Sequence, residues 1–261
     1  MFISSRLWDG RKHFLDKMTL PDLVRAYFNY PAIQTYLLLA VISSGFAIYF
    51  AKGVLPVLFA VGSIIILYPI IWYLLHRNIL HGKFLYKLPY TASSWKRIHF
   101  DHHRDPNDLG VLFGSLKNTL PVVMIMTIPL GLIWGKTGAC AAFATGLFIT
   151  CFYEFCHCFQ HLAYNPKWRF LRDMKKWHVA HHYHNEKGNF GITNFMVDRV
   201  LGTFYLRTDM VPRSSTVFNL GYTDEEARKY PWVAELSGFE PGETPIPKEN
   251  FSKSGESLSS G

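Results

Sequence analysis

Apolar positions along this chain gather into long uncharged runs instead of alternating with polar ones. A helix needs about 20 mostly apolar residues to cross a bilayer. Residues 32–51 and 54–75 meet that length outright, and only Lys52 and Gly53 separate them, so the pattern predicts two spans frayed into a tight hairpin. Residues 119–134 form a shorter run carrying Pro121 and Pro129, and 138–159 follow after Gly135, Lys136 and Thr137. The fold class expected is therefore an all-α integral membrane protein with about four transmembrane helices. Ahead of the spans, Thr19-Leu-Pro-Asp22 has the form of a helix start, with Thr as cap, Pro early and an acid in the first turn. Leu20, Leu23, Val24, Tyr27 and Phe28 would then lie along the membrane interface. Polar and acidic residues before any apolar run read against a cleavable signal peptide. Residues 162–210 mix aromatic and basic side chains and read as folded. From Pro212 the chain turns polar, and from Gly238 it is rich in Pro, Gly, Ser and Glu, as disordered tails are. The expected division is an interfacial segment at 1–31, a membrane-embedded unit at 32–210, and a polar tail at 211–261, largely disordered at its end and carrying no chemistry.

Charge orients the spans. Of 27 Lys and Arg, residues 1–31 hold five, 76–118 seven, 162–261 thirteen, and the two short loops one each. By the positive-inside bias the basic side is the cytoplasm, with a bacterial inner membrane expected ahead of the endoplasmic reticulum. Of the 261 residues, 49% are hydrophobic and only 18% charged, which argues against a soluble enzyme and against disorder. The net charge of +8 would suit nucleic acid, but the aromatic residues sit inside the apolar runs and do not alternate with the basic ones. No nucleic-acid partner is expected; anionic lipid headgroups fit the basic surface better. Cys140, Cys151, Cys156 and Cys158 share one apolar run without Cys-x-x-Cys spacing and read as small packing residues.

Histidine is the departure from ordinary composition. Of 12 histidines, 11 lie between His76 and His184, on the basic side or in the last turn of a span opening to it. His99, His102 and His103 form one His-x-x-His-His triplet and His178, His181 and His182 a second. His157 and His161 end the fourth span; His76 and His81 end the second. Positions i, i+3 and i+4 of an α-helix share a face, so each triplet is expected to aim its imidazoles at one point. His76 and His81 are the exception, since at about 100° per residue five residues put them roughly 140° apart. Either the helix unwinds near Gly82 or the two serve different ions. Ten motif histidines suffice for two metal ions with five nitrogens each, and burying so many imidazoles without a shared ligand would leave donors and acceptors unpaired. Imidazole suits Zn, Fe, Cu and Ni, so softness alone does not select the metal. A metal transporter would want ligands at mid-membrane depth, where these spans have none. A membrane metalloprotease would need His-Glu-x-x-His, which does not occur.

Around the clusters stand His102-His103-Arg-Asp-Pro106-Asn-Asp108, Tyr153-Glu154-Phe-Cys-His157, Gly188-Asn-Phe-Gly191-Ile-Thr193, and Asp198 through Gly202-Thr203. In content and order these resemble the integral-membrane fatty acid hydroxylase and sterol desaturase superfamily across residues 60–207, and within it the fatty acid 2-hydroxylases most. Glu154 stands where that group has Asp, and Leu80-His81-Gly82 lacks the extra histidine of some sterol-type members. The resemblance implies a helical cap on the cytoplasmic side holding two Fe ions on His76, His81, His99, His102, His103, His157, His161, His178, His181 and His182. It implies O2-dependent hydroxylation of a membrane lipid's acyl chain, near its carboxyl end. Zn can take the place of Fe in overproduced protein. Many relatives carry a fused b-type cytochrome domain; this sequence has no His-Pro-Gly-Gly, so electrons are expected from a separate cytochrome or ferredoxin-type protein. Desaturation, or hydroxylation of a sterol, carotenoid or ornithine lipid, is the runner-up, since both reactions begin with the same hydrogen abstraction. Glu154, three residues before His157 on the same helix face, is expected to accept a ligand's free ring N–H, and Asp101 and Asp108 are candidates for the same task. His184 falls off the triplet's face and is expected to be exposed or in an outer role, with a spare-ligand role open; His13 reads as a surface residue.

Overall fold

The computed structural model describes residues 13–243. Most of the interfacial segment before Thr19, and residues 244–261 of the tail expected to be disordered, lie outside the described residues. Within them the regular elements are helices: α1 (Leu20–Asn29), α2 (Pro31–Phe50), α3 (Leu55–Leu74), α4 (Pro89–Trp95), α5 (Asp101–Arg104), α6 (Leu109–Leu112), α7 (Leu116–Leu132), α8 (Gly135–His161), α9 (Arg169–Tyr183), α10 (Met196–Val200), α11 (Asp224–Lys229) and α12 (Trp232–Glu235). Four stretches are long and apolar enough to cross a membrane: Pro31–Phe50, Leu55–Leu80, Leu109–Leu132 and Gly135–His161. The chain is a multi-pass membrane protein.

The α1 start has the expected form. The Thr19 hydroxyl accepts from the Asp22 N–H while the Asp22 carboxylate accepts from the Thr19 N–H at 3.1 Å, satisfying two otherwise orphaned donors. Leu23 and Tyr27, expected along the interface, turn inward instead and join the core with Ala26; Val24 and Phe28 stay exposed.

The fourth span is central. Over its apolar window 56% of residues are buried, against 28%, 22% and 28% for the others, because α8 packs on α2, α3 and α7 at once. Small residues allow the close approach that helices need in lipid. A Cβ on Gly131 would stand 2.6 Å from that of Ala142 and 2.5 Å from the Gly138 carbonyl oxygen. Hydroxyls tie the spans: Ser43 Oγ donates to the Cys140 carbonyl at 3.0 Å, Tyr27 Oη to the Cys151 carbonyl at 2.6 Å, and Tyr68 meets Thr150 at 2.9 Å. Each such bond is worth about 0.6 kcal/mol in a bilayer. The four cysteines are free, three of them buried and Cys140 half-buried, as packing residues would be. Gly135, Lys136 and Thr137, expected as a loop, are the first turn of α8. The reversal occurs at Ile133 and Trp134, with Gly135 at φ +70, where a residue with a Cβ is strained. The third span is also longer than its apolar run, since Lys117 and Asn118 sit in its first turn without ending the helix.

The polar segment after Pro212 is not a bare tail up to Glu243. Leu220, Tyr222, Ala227, Val233 and Ala234 are buried against Tyr86, Ala92, Trp95 and Phe100, forming a second core outside the spans. Tyr86 donates to Glu226 at 2.7 Å and Tyr222 to the Tyr230 carbonyl at 2.7 Å. This lobe packs on α4 and on the segment that carries His99.

Candidate metal centre

Two wide turns set the ligands. Beyond α3, residues Leu75–Leu80 form a π turn, closed by the His81 N–H bonding to the His76 carbonyl at 3.0 Å. Such a turn closes over five residues instead of four, so residues five apart return to one face. The Nε2 atoms of His76 and His81 stand 3.2 Å apart. The helix widens and then ends at Leu80, just ahead of Gly82, and the two rings meet instead of diverging. A second π turn, Lys96–Phe100, lies between α4 and α5 and carries His99.

The ten motif histidines converge, and they divide in a way their spacing does not suggest. His102, His157, His161, His178 and His182 offer nitrogens within 4.8 Å of one another, as do His76, His81, His99 and His103. The nitrogens of His103, His181 and His182 form a third such group at the junction, and His181 is counted with the second set because its ring centroid lies 5.1 Å from His76, 4.9 Å from His81 and 5.0 Å from His103. The sets adjoin where the rings of His103 and His182 lie 4.2 Å apart. Each triplet is thus split, contrary to the expectation of one point per triplet. His99 and His103 go to one set and His102 to the other; His178 and His182 go one way and His181 the other. The arrangement is five and five.

The donor set fits two cations. Ligands about 2.1 Å from one ion stand about 3 Å apart when cis, and the Nε2 pairs His81–His99, His102–His157 and His161–His178 lie at 2.8, 2.9 and 2.9 Å. Two such nitrogens have no proton to share with each other if both carry lone pairs inward. Elsewhere the tautomer is fixed. Nδ1–H of His76 donates to the Phe190 carbonyl (2.6 Å), that of His103 to Val217 (3.0 Å) and that of His181 to Gly188 (2.7 Å). The Nε2 atoms of His103 and His181 are then left buried with no partner, as are both ring nitrogens of His182, a costly state unless a cation takes the lone pairs. Burial pushes the pKa of His99, His102, His103, His178 and His182 well below the ordinary range, and that of His181 down to about 4, so they are neutral at neutral pH, the form that ligates.

The expected carboxylate partners do other work. Glu154 is buried, but its Oε2 accepts from the Gly114 N–H at 3.2 Å and reaches no imidazole; three residues on one face still leave its side chain on the α6–α7 side. Asp108 caps α6, accepting from the Gly110 N–H at 2.8 Å, and Asp101 pairs with Lys96 at 2.8 Å. Backbone carbonyls replace them as the outer acceptors. The residue that composes this shell is Asp198, fully buried, whose carboxylate accepts from the N–H groups of Phe190 and Gly191 and from the Thr203 hydroxyl at 2.8–2.9 Å. It holds the loop whose Phe190 carbonyl orients His76. Nothing in spacing singled it out, although it stands in a motif that carried the family resemblance. His184 lies outside both sets, bonded through Nε2 to the Val211 carbonyl at 2.8 Å. His13 is remote, its carbonyl accepting from Leu109 N–H at 2.9 Å.

Beside the centre, a narrow groove is lined by Pro69, Trp72 and Tyr73 of α3, Tyr153 of α8, Phe190 and Ile192. Trp72 and Tyr153 stack at 5.4 Å, and the Phe190 ring lies 5.1–5.6 Å from those of His76, His81 and His181.

Four spans with ten imidazoles gathered at one end define a polyhistidine membrane metalloprotein. The chain belongs to the fatty acid hydroxylase family, whose model matches residues 61–203. Over 154 residues it is 34% identical to the ceramide very long chain fatty acid hydroxylase SCS7 of Saccharomyces cerevisiae, covering 56% of this chain and 38% of the yeast one. It is 31% identical to the dihydroceramide fatty acyl 2-hydroxylase FAH1 of Arabidopsis thaliana over 54% of this chain and 57% of that one. A solved structure of full-length scs7p, with only its hydroxylase domain visible, superposes with a TM-score of 0.58 at 30% identity, covering 70% of this chain and 68% of that one. The match thus spans well under two thirds of these curated relatives' length.

Proposed function

We propose that this protein hydroxylates the acyl chain of a membrane lipid near its carboxyl end, using O2 and two electrons at a centre of two iron ions. The observation that carries this is the pair of five-histidine sets at the ends of the spans, beside a groove walled by span residues. Relatives named for hydroxylating fatty acyl groups support the same substrate class. One ion would be held by His102, His157, His161, His178 and His182, the other by His76, His81, His99, His103 and His181. Iron there would supply the redox chemistry by which one O2, two electrons and two protons convert a C–H group to a hydroxyl and water.

The chain's own residues do the rest. Ten neutral imidazoles would hold two cations without neutralising their charge. The carbonyls of Phe190, Val217 and Gly188 fix three ring tautomers before any ion binds, sparing reorganisation on loading. Trp72, Tyr73, Tyr153 and Phe190 wall a groove of only about 10 Å³ beside the centre, which their side chains would have to open to admit an acyl chain. A chain anchored at the membrane surface presents its first methylenes to such a site, not its distant methyl end. The charge bias supports a cytoplasmic position, open to a separate cytochrome or ferredoxin-type electron donor. It suits a bacterial inner membrane and an endoplasmic reticulum equally, and the relatives named above are eukaryotic.

Lipid mass spectrometry of a host with and without the protein, grown under heavy O2, tests the reading. A polar lipid gaining one heavy oxygen at acyl carbon 2 is the expected product. A product that has lost two hydrogens, or whose new oxygen comes from water, would overturn it.

A further inference from the structure

A second cavity, of about 380 Å³, reaches the metal centre at His81. Pockets of this size accept small ligands. Its wall carries three cations, Arg77, Lys83 and Lys187, and one acid, Glu186. Among the described residues none of the three cations has a carboxylate within ion-pair distance. All three are exposed and the cavity is half open to solvent, so their clustered positive charge attracts anions. Asn78, Ser215 and Thr216 add neutral hydrogen-bonding groups to the same wall.

Glu186 narrows the chemistry. It is buried, its Oε1 accepts from the hydroxyls of Ser214 at 2.9 Å and Thr216 at 2.6 Å, and its Oε2 has no partner. A buried carboxylate oxygen without a donor is expensive, and a ligand hydroxyl or amine can supply one. The cavity also touches the centre directly. His81 and Phe190 form part of its wall, and Phe190 lines the aromatic groove as well. Arg77 is held in place by the Tyr73 hydroxyl at 3.2 Å, and Tyr73 is another groove residue. A charged cavity and the aromatic groove therefore meet at Phe190, beside the imidazoles.

We infer that this cavity binds a phosphate monoester or free phosphate, with Arg77, Lys83 and Lys187 on its oxygens and its P–OH group donating to Glu186 Oε2. The chemistry is shared by a phospholipid headgroup and a free phosphate compound. Assigned to the substrate's headgroup, the site deepens the acyl-hydroxylation reading and rests on it; the binding itself does not. A headgroup held here with its chain in the groove would set the first acyl carbons against His76 and His81.

Equilibrium binding to purified, metal-loaded protein in detergent tests this with three probes: dihexanoyl phosphatidic acid, inorganic phosphate and uncharged dihexanoylglycerol. The doubly substituted K83Q/K187Q protein should bind dihexanoyl phosphatidic acid at least tenfold more weakly, with its metal content and its binding of dihexanoylglycerol unchanged. Arg77→Gln alone should weaken it by a smaller factor, and serves if the double variant is poorly folded. Tenfold tighter binding of phosphatidic acid than of inorganic phosphate would assign the site to a lipid headgroup, and equal binding to a free anion. Equal affinity of wild type and both charge variants for phosphatidic acid would overturn the proposal, as would wild type binding dihexanoylglycerol as tightly. If charge-dependent binding persists where no lipid is hydroxylated, the anion site stands and the substrate assignment falls.

Discussion

His103 sits where the two ligand sets meet, and its environment shows what each ligand needs. Its Nδ1–H goes to the Val217 carbonyl and its Nε2 is buried without a partner. The backbone decides which nitrogen is free for metal. That a ring needs such an acceptor could be reasoned from its chemistry, and Glu154 was the natural candidate by spacing. The acceptors proved to be carbonyls, which every residue has, so no residue type could announce them. Asp198 is the side chain that fixes one of these carbonyls. Asp198→Ala would strand two buried N–H groups and a hydroxyl, at a cost of roughly 3 kcal/mol or more. It should also lower metal affinity about 10–100-fold, as loss of outer partners does. Thermal unfolding together with competition against a chelator measures both, and wild-type metal retention in this variant would refute the positioning role.

At the scale of elements, the spans were legible because run length is a one-dimensional property, and α1 because its capping residues are local. The π turns were not. Hydrophobic periodicity reports the mean twist of a helix, and a single widened turn at Leu75–Leu80 leaves that mean almost untouched. It showed only as an apparent misfit, the roughly 140° between His76 and His81 expected of a regular helix. The splitting of both triplets was hidden for a related reason, since side chains on one face can still lean toward different neighbours. The small-residue seam between α7 and α8 belongs to this scale too. Gly131→Leu would force the helices apart where a Cβ already meets Ala142, costing about 1–3 kcal/mol. The expected result is a lower unfolding temperature in detergent, measured beside Ile125→Leu on the exposed face of α7, which should behave as wild type. Equal stability of the two variants would contradict the seam.

For the whole molecule, the lobe after Pro212 was the hardest part to foresee. Its apolar residues are few and scattered, and they are buried only because Tyr86, Trp95 and Phe100, more than a hundred positions earlier, face them. Long-range pairing of that kind leaves no local pattern. The topology expected from charge is testable: reporter fusions at Lys52 and at the Ile133–Trp134 reversal should read as non-cytoplasmic, and a cytoplasmic signal from either would overturn the orientation. The histidines draw the molecule together, since α5, α8, α9 and the turns that follow α3 and α4 contribute rings to one buried cluster. Elemental analysis of protein purified from an iron-supplemented host tests that cluster most directly, with His102→Ala and His181→Ala as partners. Two metal ions per chain are expected in the wild type and clearly fewer in each variant, with all three proteins still in the membrane; one ion or fewer per wild-type chain would contradict the two five-histidine sets.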